Sequence, residues 1–463
     1  MKGSSCKLLI LLLSISLVTS QRSCLDEFLQ CLPLHSNPSY PIANAIHTAH
    51  NASFQHLYEL HAVNLRILSS PSTSKPLAII TALHASHAQA AVVCAKHHKL
   101  QLRIRSGGHD YEGLSYTSDV PFFILDLFNL RSIKVDVATE TAWVQAGATT
   151  GELYYRIAEK SGVHGFPSGV CTTLGIGGHF SGGGYGNMMR KYGLSIDNVV
   201  DAHLIDANGM IRNRKSMGED VFWAIRGGGG TSFGIILSWK IKLVRVPRKE
   251  SNSKFRELGL NLSDCKEMSW AESTLFWAGY PNGTSIDTLL QRVQGNKVFF
   301  KTKSDYYKKV IPKQGLEMLW ELLMEIGNVF MQLNPHGGRM EEIPESETAY
   351  PQRAGYLFKT QYTIHWTDSD GGIGAAEKHV RMSRRLYRTM ASYASSNPRE
   401  AFVNYRDLDI GSNGSNDTDF SVARVYGTKY FKKNFMRLAR VKAMADPDNF
   451  FKNEQSIRPL PSH

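Results

Sequence analysis

The chain has 463 residues, 42% of them hydrophobic and 20% charged, with 39 glycines. That length holds two or three domains, and that balance excludes a low-complexity or disordered chain. The formal charge of +12 suits an acidic polymer as partner; the basic residues are scattered without a long run, which sets nucleic acid aside.

The N-terminus reads as a signal peptide over residues 1–20: Lys2 and Lys7, the apolar run Leu8 to Val18, then the small pair Thr19-Ser20. No later stretch reaches about 18 apolar residues, so no membrane span is expected. Asn-x-Ser/Thr sequons at Asn51, Asn261, Asn282, Asn413 and Asn416 fit export, to the extracellular space, the cell wall or a vacuole. For a secreted basic protein the charge-matched partner is an acidic cell-wall polysaccharide. The mature chain keeps Cys24, Cys31, Cys94, Cys171 and Cys265. An odd number in an oxidising compartment leaves at least one outside an intramolecular disulfide.

Ala78 to Ile80 reads as a strand, Ala85 to Lys99 as a helix and Leu100 to Arg105 as an alternating strand. Pro121 to Leu127 and Thr141 to Val144 continue the strands, and Thr149 or Thr150 caps a helix running to Lys160. Val199 to Ile205 and Met210 to Arg212 flank the hairpin signal Asp206-Ala207-Asn208-Gly209. Gly234 to Val246 reads as one long alternating strand. After Pro247 helical stretches (Ser285 to Val293, Leu316 to Ile326, Ala375 to Tyr393) alternate with strands (Asn328 to Gln332, Tyr356 to Trp366), as in a second domain. Phe420 to Met444 reads as one basic amphipathic helix.

The glycine clusters invite three nucleotide or hydrolase readings. Gly175-Ile176-Gly177-Gly178-His179-Phe180 fails the dinucleotide fingerprint at its last position, and no Walker lysine follows any cluster. Gly230-Thr231-Ser232-Phe233-Gly234 spells a nucleophile elbow but precedes a β-branched stretch instead of a helix. His84 with His87, and His97 with His98, lack a third ligand at metal spacing, and there is no CxxC, so no metal is expected.

Five separated stretches carry a resemblance that covers nearly the whole mature chain. They are Ser106-Gly107-Gly108-His109-Asp110-Tyr111, Gly165 to Gly186, Trp223 to Gly230, Asn404-Tyr405-Arg406-Asp407-Leu408-Asp409, and Asn453 to Ile457. In this order they resemble the plant berberine-bridge-enzyme-like family, secreted flavoproteins with a vanillyl-alcohol-oxidase-type FAD domain. The resemblance implies an α+β fold: a two-part FAD-binding domain over 21–247, an α/β substrate domain with an antiparallel sheet and helices over 248–398, and a segment over 399–463 that returns to the FAD domain. It implies a monomer and a disulfide between Cys31 and Cys94, leaving Cys24 and Cys265 unassigned. It also implies FAD bound twice, with His109 on the 8α-methyl carbon and Cys171 on C6. Both are soft nucleophiles able to attack an electron-poor ring, and two tethers leave the site open to a bulky substrate. Ser106, Gly107, Gly108, Gly175, Gly177, Gly178, His179 and Asn404 fall at cofactor-lining positions.

The implied reaction is oxidation of an alcohol, a small molecule or oligosaccharide of carbohydrate or phenylpropanoid type, by hydride transfer to flavin N5. Tyr405 matches the family's base. Free tyrosine titrates near 10, and a neighbouring cation lowers such a value by about 1–3 units, the part expected of Lys359. Gln361 shares a strand face with Lys359, and Tyr111 and Tyr185 match pocket-lining tyrosines. Leu174 matches a gatekeeper beside the flavin, where a larger side chain than valine tends to block oxygen; a dehydrogenase is expected. Two departures stand out. Phe402 replaces a frequent tyrosine, and Arg248 to Phe255 bridges a gap where the family carries several tens more residues. A substrate domain shortened near 248–256 should expose sheet edges and apolar surface. The alternative reading is a folded flavin- or wall-polymer-binding relative without turnover.

Overall fold

The computed structural model describes residues 25–248, 266–295, 297–414 and 419–461. The predicted signal peptide, Cys24, Cys265, Asn261, Asn416 and the junction at 249–256 lie outside the described residues. A helix over residues 25–35 is joined by a Cys31–Cys94 disulfide to helix α1 (Ala85–His97).

The first sheet contains β1 (Ile46–Thr48), β2 (Ala78–Thr81), β3 (Gln101–Arg105) and β4 (Phe122–Asp126) in the order β1-β2-β4-β3. β2 and β3 run parallel to β4. Every residue of β4 is buried, as a parallel strand covered on both faces requires. The second sheet is antiparallel: β5 (Ile133–Asp136), β6 (Thr141–Gln145), β7 (Val199–Ile205), β8 (Ile211–Arg212) and β9 (Ile235–Lys242) in the order β5-β6-β9-β7-β8. The β7–β8 hairpin turns at Gly209, whose φ of 77° only glycine adopts at little cost. Between β6 and β7, helix α2 (Thr150–Lys160) starts at a capping box of Thr149 and Glu152.

The third sheet holds β10 (Phe299–Tyr307), β11 (Val329–Pro335) and β12 (Phe358–Trp366), antiparallel in the order β10-β12-β11. One face carries Tyr307, Tyr362, Val329 and Met331 against helices α3 (Lys313–Ile326) and α4 (Ala376–Thr389), through Leu319, Leu322 and Leu386. By the two-residue period the other face presents Phe300, Thr302, Gln332, Asn334, Lys359, Gln361, Thr363 and His365. That face lines the site. β11 is the sheet's edge, with Phe330 and Leu333 each about half exposed.

Three predicted elements differ. Residues Ile286–Leu290 form only a 3₁₀ turn in place of the helix expected over 285–293. Tertiary contacts override local propensity there: Arg292 reaches back to Glu152 and to the carbonyls of Phe128 and Gly147. The strand expected over 234–246 ends at Lys242, and Ile235 to Trp239 are all buried. The expected C-terminal helix is two, α5 (Phe420–Phe431) and α6 (Asn434–Ala445), broken at Lys432 with φ 50°. Gly427 makes the fold-back: a Cβ there would sit 2.2 Å from the Phe435 ring. Its basic character is not all surface, since Lys442 is fully buried on Asp446 and on the carbonyls of Ser232 and Phe451.

Candidate active site

Arg105 ends β3 and is fully buried. Its guanidinium donates to Asp126 on β4 at 2.9 and 2.7 Å and to the carbonyls of Tyr58 and Leu57. This fixes the point where the chain leaves the sheet as the loop Ser106 to Tyr111. The Asp110 carboxylate then accepts the N–H groups of Glu112 and Leu114, each at 3.0 Å, and closes the loop.

The second loop, Gly169 to Leu174, rests on the start of α2. Thr150 N–H donates to the Leu174 carbonyl at 2.9 Å, Gly151 N–H to that of Thr172 at 2.8 Å, and the Thr150 hydroxyl to that of Cys171 at 2.6 Å. The two loops meet backbone to backbone at a pair of glycines. A Cβ on Gly107 would lie 2.3 Å from Gly175 N, and one on Gly175 would lie 2.2 Å from Gly107 N. No side chain fits at either position, so this contact sets the distance between His109 and Cys171. Gly175→Ala is therefore expected to lower stability by at least the ~1–3 kcal/mol typical of overpacking. A thermal melt checks this.

His109 and Cys171 converge on a third residue. The Thr173 hydroxyl lies 3.0 Å from His109 Nε2 and 3.5 Å from Cys171 Sγ. Burial pushes His109 down to about 4, so its imidazole is neutral. Cys171 is exposed and outside any disulfide. His179 Nε2 accepts the Gly169 N–H at 2.9 Å, and burial lowers its pKa to about 3. Asn404 donates to the His179 carbonyl at 2.9 Å, which ties the C-terminal segment to the second loop.

Above these loops the face of β10, β12 and β11 closes a cavity of about 690 Å³. Every predicted site residue lines it except Lys359: Ser106, Gly107, Gly108, His109, Tyr111, Cys171, Leu174, Gly175, Gly177, Gly178, His179, Tyr185, Gln361, Asn404 and Tyr405. Tyr405 and Tyr185 share a hydrogen bond between their hydroxyls. The Tyr111 ring stacks on Tyr405, centroids 5.3 Å apart, and its hydroxyl accepts from Gln361 at 3.0 Å. Lys359 lies behind the wall. Its Nζ is 3.1 Å from the Tyr185 ring centroid, 3.9 Å from that of Phe402 and 4.8 Å from that of Tyr405.

The expected lowering of the Tyr405 pKa is not what this site produces on its own. Burial, then the neighbouring phenols Tyr185 and Tyr111, hold Tyr405 well above the usual tyrosine range. Tyr185 is raised by burial to about 12. Lys359 is pushed well below the usual lysine range by the same cause. Either charge alone is costly here, whereas a tyrosinate and an ammonium formed together offset each other.

The sequence reading missed Thr173, which carries no motif signal of its own. It also missed Asn334, which donates to the Tyr185 hydroxyl at 3.5 Å, and the wall residues Thr302, Gln332, Thr363 and His365. A period-two count along the second-half strands would have placed the last four on one face. Ser232 of the apparent nucleophile elbow is buried in a 3₁₀ turn, its hydroxyl accepting the Ile457 N–H. The sequon residue Asn413 is buried, donating to Tyr426 and accepting from Arg458, while Asn51 and Asn282 are exposed.

The cavity also fits a large phosphate-bearing ring cofactor. The backbone N–H groups of Gly107, Gly108 and His109 have no partner among the described residues, and successive free N–H groups make an anion-binding nest. A Cβ on Gly178 would meet nothing within 4 Å, so this glycine opens space along the lining. The buried Ser115 hydroxyl on the same wall has no hydrogen-bond partner among the described residues.

Residues 76–214 match the FAD binding domain family and residues 401–458 the berberine and berberine like family. Berberine bridge enzyme-like 4 of Arabidopsis thaliana is 47% identical over 532 residues, covering 99% of each chain. The chain belongs to the berberine bridge enzyme-like family. It is thereby an FAD-binding member of an oxidoreductase family. The alignment is longer than the 463 residues of the chain, so that relative carries residues with no counterpart here. The structure of the family member BBE-like 28 from Arabidopsis thaliana is 38% identical with a TM-score of 0.87, covering 94% of this chain and all of that one. Phl p 4.0202, a glucose dehydrogenase, is 39% identical with a TM-score of 0.88 and the same coverage. A Phl p 4 variant with an isoleucine-to-valine exchange is a glucose oxidase. No described helix is long and apolar enough to cross a membrane.

Proposed function

We propose that this chain is a secreted FAD-linked oxidoreductase that oxidises an alcohol, with the flavin bonded to both His109 and Cys171. The observation that carries the reading is the Tyr185–Tyr405 hydroxyl pair facing the cavity that those two nucleophiles also line. FAD, when bound, supplies the two-electron acceptor for hydride from the carbinol carbon. The N–H groups of Gly107 to His109 and the open face at Gly178 would hold it. His109 would offer Nδ1 to the ring, because Nε2 is engaged by Thr173.

The protein's own part is proton handling and orientation. The substrate hydroxyl donates to Tyr405, whose proton is shared with Tyr185. Lys359, packed on both rings and Phe402, carries the balancing positive charge without touching the substrate. The wall at Thr302, Gln332, Asn334, Gln361 and Thr363 offers neutral amides and hydroxyls, which suits a hydroxylated substrate of carbohydrate or phenylpropanoid type. A disulfide between Cys31 and Cys94 and exposed sequons at Asn51 and Asn282 accord with secretion.

Leu174 lines the cavity, and a Cβ on Gly169 would lie 3.1 Å from its Cδ1. The Phl p 4 pair supports a gatekeeping part for such a branched side chain, and we read this chain as a dehydrogenase. Leu174→Val is expected to raise the rate of oxygen reduction on the order of tenfold, about 1.4 kcal/mol in barrier. Stopped-flow reoxidation in air measures it. The half-exposed Phe330 on the β11 edge favours one second reading, a flavin-binding relative without turnover. Anaerobic mixing with oligosaccharides and monolignols separates the two. Bleaching of the flavin by a member of the panel supports the enzyme; an unchanged spectrum throughout supports the binder.

A further inference from the structure

Thr173 stands two residues after Cys171 and is 7% exposed. Its hydroxyl is within reach of both nucleophiles, 3.0 Å from His109 Nε2 and 3.5 Å from Cys171 Sγ. No other side chain among the described residues is recorded hydrogen-bonding to both. The position is fixed from two sides. The Thr150 and Gly151 N–H groups hold the turn that contains Thr173, and the Gly107–Gly175 contact fixes the His109 loop against it.

A hydroxyl has one proton and two lone pairs, and a neutral imidazole carries its proton on one nitrogen only. Two arrangements satisfy the triad. In the first, His109 Nε2–H donates to Thr173 Oγ1, which donates its own proton to the Cys171 sulfur. The Nδ1 lone pair is then available, and the deprotonated sulfur accepts the hydroxyl's hydrogen bond. In the second, the Cys171 thiol donates to Thr173, which donates to Nε2. The ring proton then sits on Nδ1, and both nucleophiles are blocked. The two arrangements differ by one proton: the second becomes the first when the thiol proton passes through the hydroxyl to Nε2 and the Nδ1 proton leaves to solvent.

We propose that Thr173 is a positioning residue that switches His109 and Cys171 together, so that one hydroxyl readies both for flavin attachment. The inference rests on the double attachment put forward above. It explains why the two attachment residues, 62 positions apart in sequence by their numbers, share a single hydrogen-bonding partner. It also gives the neutral state of His109 a purpose, since a protonated imidazole has no lone pair to offer.

The test compares the purified full-length protein with Thr173→Val, Thr173→Ala and Thr173→Ser. Each is precipitated in acid and digested, and the flavin-bearing peptides are assigned by mass. Valine keeps the shape and loses the hydroxyl; alanine does the same with less bulk; serine restores the hydroxyl. The doubly linked fraction is expected to fall about tenfold or more in the valine and alanine variants, the scale of losing an orienting partner behind a reactive ligand. Serine is expected to keep it near the native level. Full double linkage in Thr173→Val, or loss in Thr173→Ser equal to that in Thr173→Val, overturns the assignment. A native protein with no linked flavin instead removes the double-attachment reading itself, and the native sample decides that before any variant is compared.

Discussion

Replacing Tyr405 with phenylalanine is expected to lower kcat by about 10²–10⁴-fold, the range a positioned general base contributes, while flavin content stays native. The ring remains held by Tyr111 at 5.3 Å and Phe402 at 5.1 Å, so the fold and the cavity wall persist. The oxygen proposed to receive the substrate proton is lost, and Tyr185 keeps only Asn334 at 3.5 Å among the contacts described for its hydroxyl. Anaerobic single-turnover reduction isolates the step: substrate binding should be little changed and the bleaching rate should fall. Bleaching within threefold of the native rate would mean that Tyr405 packs and does not act.

Lys359→Met is expected to lose activity and gain stability in the same molecule. Removing the amine removes the counter-charge that offsets a tyrosinate when the two charges form together. The pH optimum for reduction should rise, and the rate at pH 7 should fall about 10–1000-fold, the scale of about 1–3 units of lost support. The stability effect has a definite sign. An unfolded lysine titrates near 10.4, and burial holds the folded value well below it. Between the two values the unfolded chain carries a proton that the folded chain has released, so native stability rises with pH across that window. Methionine has no such slope. Its advantage should be largest at low pH and vanish as pH approaches ~10. Denaturant melts at several pH values measure this, and a variant that is less stable than native at every pH contradicts the buried amine with its lowered pKa. Trading stability for activity at one residue is the mark of a functional position.

The parts legible in the sequence are those whose chemistry is local. Ser106 to Tyr111 and Gly165 to Gly186 stand out because nucleophiles and close-approach glycines sit within a few residues of one another, and a helix cap at Thr149 or Thr150 follows from the local pattern, with Thr149 the one that caps. The sheet wall was harder. β10 was not among the expected elements: it reads Phe-Phe-Lys-Thr-Lys-Ser-Asp-Tyr-Tyr, with three charged residues, yet all nine residues are buried. Lys301 is paired with Glu112 and Asp407, and Lys303 with Asp407 and Asp409. Those partners lie about a hundred residues or more away, so the compensation that allows burial is invisible in the local pattern. The same distance hid the position of Lys359. Its partner rings come from residues 185, 402 and 405, and the expectation that it lowers a single tyrosine pKa gave way to a cluster in which burial opposes both charges. The C-terminal helix was misread because its break at Lys432 depends on Phe435 packing over Gly427.

The two proposed attachment residues remain the centre of the account, since both line one cavity, the glycine contact joins their loops and the Thr173 hydroxyl lies within reach of each. The most direct measurement is acid denaturation of the purified native protein, followed by proteolysis and mass analysis of the yellow fraction. The account predicts that the colour stays with the protein and that one flavin joins the peptide containing His109 to the peptide containing Cys171. Flavin released into the supernatant, with both peptides at their unmodified masses, would contradict it.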